Sequence, residues 1–245
     1  MFDSMAVEFV EEDGNGLKLN MGMEDRTSTA HTRSAGMTFC RIAIVDNDEM
    51  ALRSLIRIIH ERIRFASPIW TAATARQALE HCSAPRDIPD VLLVDMSLEG
   101  IQGPSLCRHI RLGNTKTRLL AITSFSTTMY HDKAVHAGVQ GLISKNDEDE
   151  IVRGIHLMQC GEVMEGFESP VMAQIRLKHE PAPAILSIRE EEILDLVATC
   201  GLVDRQIADR LGIAEATVRR HMHNIMKKLG ARTSRQAVAI WLNNR

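Results

Sequence analysis

VLLVDMSLEG, residues 91–100, decides the fold. It opens on four apolar residues without alternation and closes that run on a carboxylate, Asp95. A strand buried on both faces reads this way, because neither face has to meet water. Four further runs of the same character stand around it: RIAIVD (41–46), PIWTA (68–72), RLLAIT (118–123) and VQGLIS (139–144). Helix-like segments follow each of them, at 49–62, 74–82, 103–111, 128–137 and 149–160. Short strands alternating with helices predict an α/β domain over residues 39–163, a doubly wound parallel sheet of five strands. In such a sheet ligands bind at the carboxyl ends of the strands, near the point where the strand order reverses.

The residues at those ends are polar. Asp46, Asn47 and Asp48 follow the first strand, Asp95 ends the third, Thr123 ends the fourth and Lys145 follows the fifth. Carboxylates, a hydroxyl and an ammonium gathered on one sheet edge suit a divalent cation and a phosphoryl group. Mg²⁺ takes oxygen ligands in octahedral geometry and keeps several waters. A carboxylate beside a cation and a lysine can attack phosphorus, because the developing charge is neutralised where it forms.

IVDND (44–48), VLLVDMSLEG (91–100), AIT (121–123) and LISK (142–145), in that order at strand ends, resemble the receiver domain of bacterial two-component response regulators. The resemblance implies a flavodoxin-like fold, phosphorylation by a partner sensor histidine kinase, and Mg²⁺ as cofactor. It implies that Asp95 is the phosphoacceptor and that Thr123 and Lys145 contact the phosphoryl group. Asp46, Asp95 and the backbone carbonyl of Ser97 would hold the metal, with Asn47 as a further oxygen donor. Three positions depart from the family pattern. Asn47 stands where a second acidic residue is usual, with Asp48 next to it. Glu99 replaces a proline. Leu142 replaces the aromatic residue often found three before the lysine.

Residues 164–185, which hold Pro170, Pro181 and Pro183, read as a linker around one short helix-capable stretch, 171–177. Beyond it, residues 186–245 predict an all-α domain of four helices. SIRE (187–190) is a capping box, in which the serine hydroxyl and the glutamate carboxylate satisfy free amides of the first turn. Gly201 ends that helix, and Asp204 is placed to cap the next, which buries Ile207, Ala208 and Leu211. EATVRRHMHNIMKKLG (215–230) has two faces. Val218, Met222, Ile225 and Leu229 share one stripe, while Arg219, Arg220, His223, Asn224 and Lys227 lie opposite. An apolar back with a basic, hydrogen-bonding front is what a helix needs to lie in the major groove of DNA.

Residues 186–239 resemble the LuxR-type helix-turn-helix domain of the NarL/FixJ response regulators. The resemblance implies 203–211 as positioning helix and 215–229 as recognition helix. Thr217 is then a helix-start or phosphate hydroxyl. Arg219, Arg220 and His223 approach bases or flanking phosphates, Asn224 either contacts phosphate or stays hydrated, and Lys227 contacts the backbone. His221, beside the apolar stripe, reads as structural, and Lys228 as a solvated charge. Ala214 stands where the family has a capping serine. The last helix, from Ser234, presents Ala237, Val238, Ile240 and Trp241, which either close the core of one copy or pair two copies. A homodimer would face a pseudo-palindromic site.

Charge supports a division of labour. Residues 205–245 carry nine Lys/Arg and two Asp/Glu, a balance of +7, against −10 for the rest of the chain. A basic lobe on an acidic body meets phosphate, and the body does not. Residues 1–38 have no apolar periodicity and read as a disordered tail. The five widely spaced cysteines read as reduced thiols, mostly in the core. No apolar run approaches membrane-spanning length and no secretory signal is visible, so a cytoplasmic protein is expected. No glycine-rich phosphate loop follows the first strand, so an independent enzyme of the doubly wound class is disfavoured. Two functions stand: a response regulator whose DNA binding is controlled at Asp95, and a phosphorylation-independent transcription factor whose receiver-like domain is a dimerisation or ligand module.

Overall fold

The computed structural model describes residues 9–11, 17–19, 39–179 and 186–243. Its first domain is a sheet with helices on both faces. In chain order the elements are β1 (Phe9–Glu11), β2 (Leu17–Leu19), β3 (Cys40–Val45), α1 (Glu49–Arg62), β4 (Ala66–Ala72), α2 (Ala75–Ser83), β5 (Val91–Asp95), α3 (Gly103–Gly113), β6 (Arg118–Thr123), α4 (Thr127–Ala137), β7 (Gly141–Ser144), α5 (Glu148–Gln159) and α6 (Pro170–His179). The strand order is β1-β2-β4-β3-β5-β6-β7, and β3, β4, β5, β6 and β7 form the five-stranded parallel sheet the sequence predicts. β3 lies between β4 and β5, so the order reverses there.

The central strand shows why its sequence does not alternate. Leu92 and Val94 enter a core with Leu106, Cys107 and Ile110 of α3 and Ala134 and Ala137 of α4. Val91 and Leu93 enter a second core on the other face, with Leu55, Ile58 and Ile59 of α1 and Ile151, Ile155 and Met158 of α5. Side chains alternate between faces, but both faces are covered.

Two segments outside the expected domains carry regular structure, the second of them at the helix-capable stretch 171–177. The tail, read as disordered, contributes β1 and β2, which pair antiparallel with each other, and Lys18 of β2 lies opposite Trp70 of β4. An edge strand leaves unpaired N–H and C=O groups, and β2 covers part of the β4 edge. The rest of residues 1–38 lies outside the described residues. The segment read as a linker also packs. Ala173 and Leu177 of α6 are buried, and Gln174 donates to the carbonyls of Arg111 and Leu112 at the end of α3, at 3.0 and 3.1 Å. Arg176 donates to the Val135 carbonyl of α4 at 2.7 Å. The helix thus supplies partners for carbonyls that helix ends leave open. Residues 180–185 of the expected linker lie outside the described residues.

Arg111 anchors this corner. It is fully buried and donates to the carbonyls of Gly138, Asn114 and Thr117 and to Oε1 of Gln140. Burial pushes its guanidinium down to about 10, still cationic at neutral pH. The thiols sort by depth: Cys107 is buried, Cys40 and Cys82 half-buried, and Cys160 and Cys200 exposed, all free. Burial pushes Cys82 and Cys107 up to about 12, which disfavours their thiolates.

The second domain is all-α: α7 (Ile188–Cys200), α8 (Asp204–Leu211), α9 (Glu215–Leu229) and α10 (Ser234–Asn243). Ser187 and Glu190 form the expected capping box. Asp204 does not cap α8; it takes the first helical position, and Gln206 Oε1 instead accepts the Val203 N–H at 3.1 Å. Ala214 precedes α9 without a side-chain cap, as its sequence dictates. Ile193, Leu194, Ile207, Val218, Ile225 and Ala237 form the core, with Trp241 packed half-buried at its edge and Leu242 exposed. Trp241 thus closes the core in part and leaves an apolar rim on α10. No helix among the described residues is long and apolar enough to cross a membrane.

Candidate functional site

The strand register builds the first site. β3 and β5 are neighbours with Val45 opposite Val94, so Asp46 and Asp95 leave the sheet side by side. Both are buried, at 0% and 3% relative exposure, and Thr123 beside them is also at 0%. Lys145 closes the group, its Nζ 2.6 Å from Asp46 Oδ2 and 3.0 Å from Asp95 Oδ1. Its backbone N–H donates to the Thr123 carbonyl at 2.8 Å, which locks the β7 exit to the β6 exit. Of the six polar residues singled out from sequence at these ends, Asp46, Asp95, Thr123 and Lys145 therefore gather here.

Each has a distinct environment. Asp46 Oδ1 accepts the Asp48 N–H at 3.0 Å. Asp46 Oδ2 is buried and, although Lys145 is close, makes no hydrogen bond of good geometry. Burial pushes the Asp46 carboxyl above the ordinary carboxylate range, against the opposing pull of Lys145 and the Asp48 amide. Ser97 Oγ donates toward both oxygens of Asp95, at 3.2 and 3.3 Å. Thr123 Oγ1 accepts the Phe125 N–H at 3.1 Å, which leaves the hydroxyl proton to donate. Asn47 is exposed. Asp48 turns away: its carboxylate caps α1 by accepting the N–H groups of Met50 and Ala51.

This donor set fits Mg²⁺ and not an all-protein cage. Among the described residues no cluster of three or more His, Cys, Asp or Glu could hold a metal. Two buried carboxylates converge, bridged by Lys145, and Mg²⁺ characteristically binds through one or two carboxylates plus waters.

One neighbour was not legible beforehand. Tyr130 on α4, the chain's single tyrosine, packs half-buried against the core that contains Leu142. Burial raises its phenol, and so does the nearby charge of Asp95. Its ring lies 6.4 Å from that of exposed Phe125. An aromatic residue thus stands near the phosphoacceptor candidate, on a helix instead of the last strand. Only its position one turn into α4, after the Thr123 loop, hinted at this.

The second site is the outer face of α9. Val218, Met222 and Ile225 are buried, while Arg219, Arg220, His223, Asn224 and Lys227 are exposed and Thr217 is half-buried in the first turn. Arg219 pairs with Glu215 one turn back at 3.3 Å, an exposed contact worth little on its own. His221 is half-buried beside the stripe. Lys228 is not a plain solvated charge: it pairs with buried Glu190 at 2.6 Å and ties α9 to the start of α7. Burial alone would raise the Glu190 carboxyl, but Lys228 and Ser187 outweigh it and hold it low.

The two domains touch through α7. Arg76 of α2 reaches both carboxylate oxygens of Glu192, at 2.6 and 2.8 Å, and Ser105 of α3 donates to Glu191. Ile188 packs against the α2–α4 side of the receiver-like core. Arg219, Arg220, His223, Asn224 and Lys227 of α9 stay exposed beside this contact, so the first domain does not cover them.

Comparison with known proteins matches both parts. Residues 42–156 match the model of the response regulator receiver domain, and residues 184–241 match that of bacterial regulatory proteins of the luxR family. The Fimbriae Z protein of Escherichia coli is 30% identical over 146 residues, 58% of this chain and 68% of its own length. The DNA-binding transcriptional activator DevR/DosR of Mycobacterium tuberculosis is 27% identical over 206 residues, 80% of this chain and 91% of its own. A solved LuxR-family response regulator from Aurantimonas is 29% identical, with a TM-score of 0.48, covering 56% of this chain and 94% of that one. The chain belongs to the family of response regulators that join a receiver domain to a LuxR-type helix-turn-helix domain.

Proposed function

We propose that this protein is a cytoplasmic transcription factor whose sequence-specific DNA binding is controlled by phosphorylation of Asp95 by a partner histidine kinase. The observation that carries the reading is the buried Lys145 bridge between Asp46 and Asp95, in a chain that also exposes a basic recognition helix. An Asp95 carboxylate oxygen attacks phosphorus, the bond to the donor's leaving group breaks, and an acyl phosphate forms. Lys145 then pairs with a phosphoryl oxygen in place of Asp95, and the Thr123 hydroxyl donates to another. Asp46, Asp95 and the Ser97 carbonyl would hold Mg²⁺, with Asn47 reaching it directly or through water. When bound, the cation neutralises charge on the phosphoryl oxygens. Beyond self-phosphorylation from a small donor and slow hydrolysis, no turnover is assigned.

Because α9 is already open, control through pairing of two copies fits better than uncovering of the reading face. The exposed rim of α10 around Leu242 is the surface available to such a homodimer on a pseudo-palindromic site. The second reading, a phosphorylation-independent regulator, draws on exposed Asn47 in place of an acidic residue. Intact-mass measurement separates the two. Acetyl phosphate with Mg²⁺ should add one phosphoryl group to the full chain, and chelation of the metal should prevent it. No uptake under either condition favours the second reading.

Asp46 gives a prediction with a sign. Its raised carboxyl means that the folded state favours the protonated form, so ionisation costs stability as pH rises through that raised value. At neutral pH Asp46→Asn keeps an oxygen for the Asp48 amide and removes the buried charge. It should raise the thermal midpoint, while Mg²⁺-dependent labelling is lost. A lowered midpoint in a calorimetric scan at pH 7 would refute the electrostatic account.

A further inference from the structure

We propose that Gly103 is a positioning residue for the phosphoacceptor, holding residues 95–97 in place by having no side chain. The inference rests on Asp95 being the acceptor. Gly103 is buried at the first position of α3, eight residues beyond Asp95. A Cβ built there would lie 2.1 Å from the Asp95 carbonyl oxygen, 2.7 Å from the Met96 Cα and 2.9 Å from the Asp95 carbonyl carbon. These are backbone atoms, so no flexible side chain can swing aside. Gly103 is helical, and the positive-φ glycines lie elsewhere, so space and not backbone freedom sets the requirement.

Neither partner can retreat cheaply. The Asp95–Met96 peptide is pinned to β6, with Asp95 opposite Ile122 and the Met96 N–H donating to the Ile122 carbonyl at 2.9 Å. The first turn of α3 is pinned by fully buried Leu106 and Cys107. Packed interiors transmit such strain instead of absorbing it. The displaced segment would carry the Asp95 carboxylate away from Lys145 and would move Ser97, which both donates to that carboxylate and offers its carbonyl to the metal. The contact therefore acts on the geometry of attack and on the cation site together.

Gly113 supplies the control. It ends the same helix, and a Cβ there meets nothing within 4 Å. Full-length wild type, Gly103→Ala and Gly113→Ala would be labelled across a range of acetyl phosphate concentrations. Mg²⁺ affinity would be read by titration calorimetry, and folding by thermal unfolding. Gly113→Ala should match wild type. Gly103→Ala should unfold cooperatively, bind Mg²⁺ more weakly and lose about 100-fold in maximal labelling rate, the cost of misplacing a reacting group by about 1 Å. A loss below about tenfold, or unchanged Mg²⁺ affinity, overturns the proposal. If Gly103→Ala does not fold, amide exchange on wild type decides. Phosphorylation should change protection at residues 103–106, and no change overturns the proposal. Wild type that takes no label instead refutes the assignment of Asp95 as the acceptor, and the role of Gly103 with it.

Discussion

Asp95→Asn should take up no phosphoryl group from acetyl phosphate and Mg²⁺, while wild type takes up one. The substitution keeps size and can keep the Ser97 hydrogen bond, but it removes the nucleophilic oxygen charge. Asp46 does not replace it. Its Oδ2 is held by the Lys145 ammonium at 2.6 Å, and burial disfavours its ionised form. The variant should also stay folded, because Lys145 retains Asp46 as partner. Intact-mass analysis reads the first expectation, and the thermal midpoint reads the second. Labelling of Asp95→Asn at the wild-type level would mean that the acceptor lies elsewhere.

The second large effect concerns DNA. Arg220 is exposed on α9, opposite buried Val218 and Met222, and pairs with no acid among the described residues. A bidentate contact from Arg to guanine is worth about 1–3 kcal/mol of discrimination. Arg220→Ala should therefore weaken binding to a selected site by roughly 5- to 150-fold and relax preference at one base position. Lys227→Ala removes the proposed phosphate contact. It should weaken binding to all sequences alike and reduce the slope of log affinity against log salt by about 1. Anisotropy titrations on selected and random duplexes at several salt concentrations separate these patterns. Equal loss on both duplexes for Arg220→Ala would remove it from base readout.

What the sequence made legible follows from local signals. VLLVD and its four companions are short, apolar on both faces and bounded by polar ends, and both cores confirm that pattern. Asp46, Asp95, Thr123 and Lys145 were legible because a parallel sheet places all strand exits on one edge. The two faces of α9 were legible because one helix carries its own period. The failures share a different cause. α6 exposes Val171, Met172 and Ile175 while burying Ala173 and Leu177, so its apolar residues do not mark one face, and its flanking prolines suggest a linker. Arg111 is buried on carbonyl partners scattered from Asn114 to Gly138, which leaves no local pattern. The pairing of Lys228 with Glu190 spans 38 residues. Gly103 looked like an ordinary helix start, because the atoms it accommodates belong to the backbone of another element.

The central claim is that the state of Asp95 sets the DNA affinity of the α9 face. It is tested most directly by one titration of full-length protein on a duplex selected from a random library, with and without acetyl phosphate and Mg²⁺, for wild type and Asp95→Asn. The account predicts tighter binding by wild type on phosphorylation, and no change for Asp95→Asn. Equal affinities for phosphorylated and unphosphorylated wild type, with phosphorylation verified by mass, would contradict it.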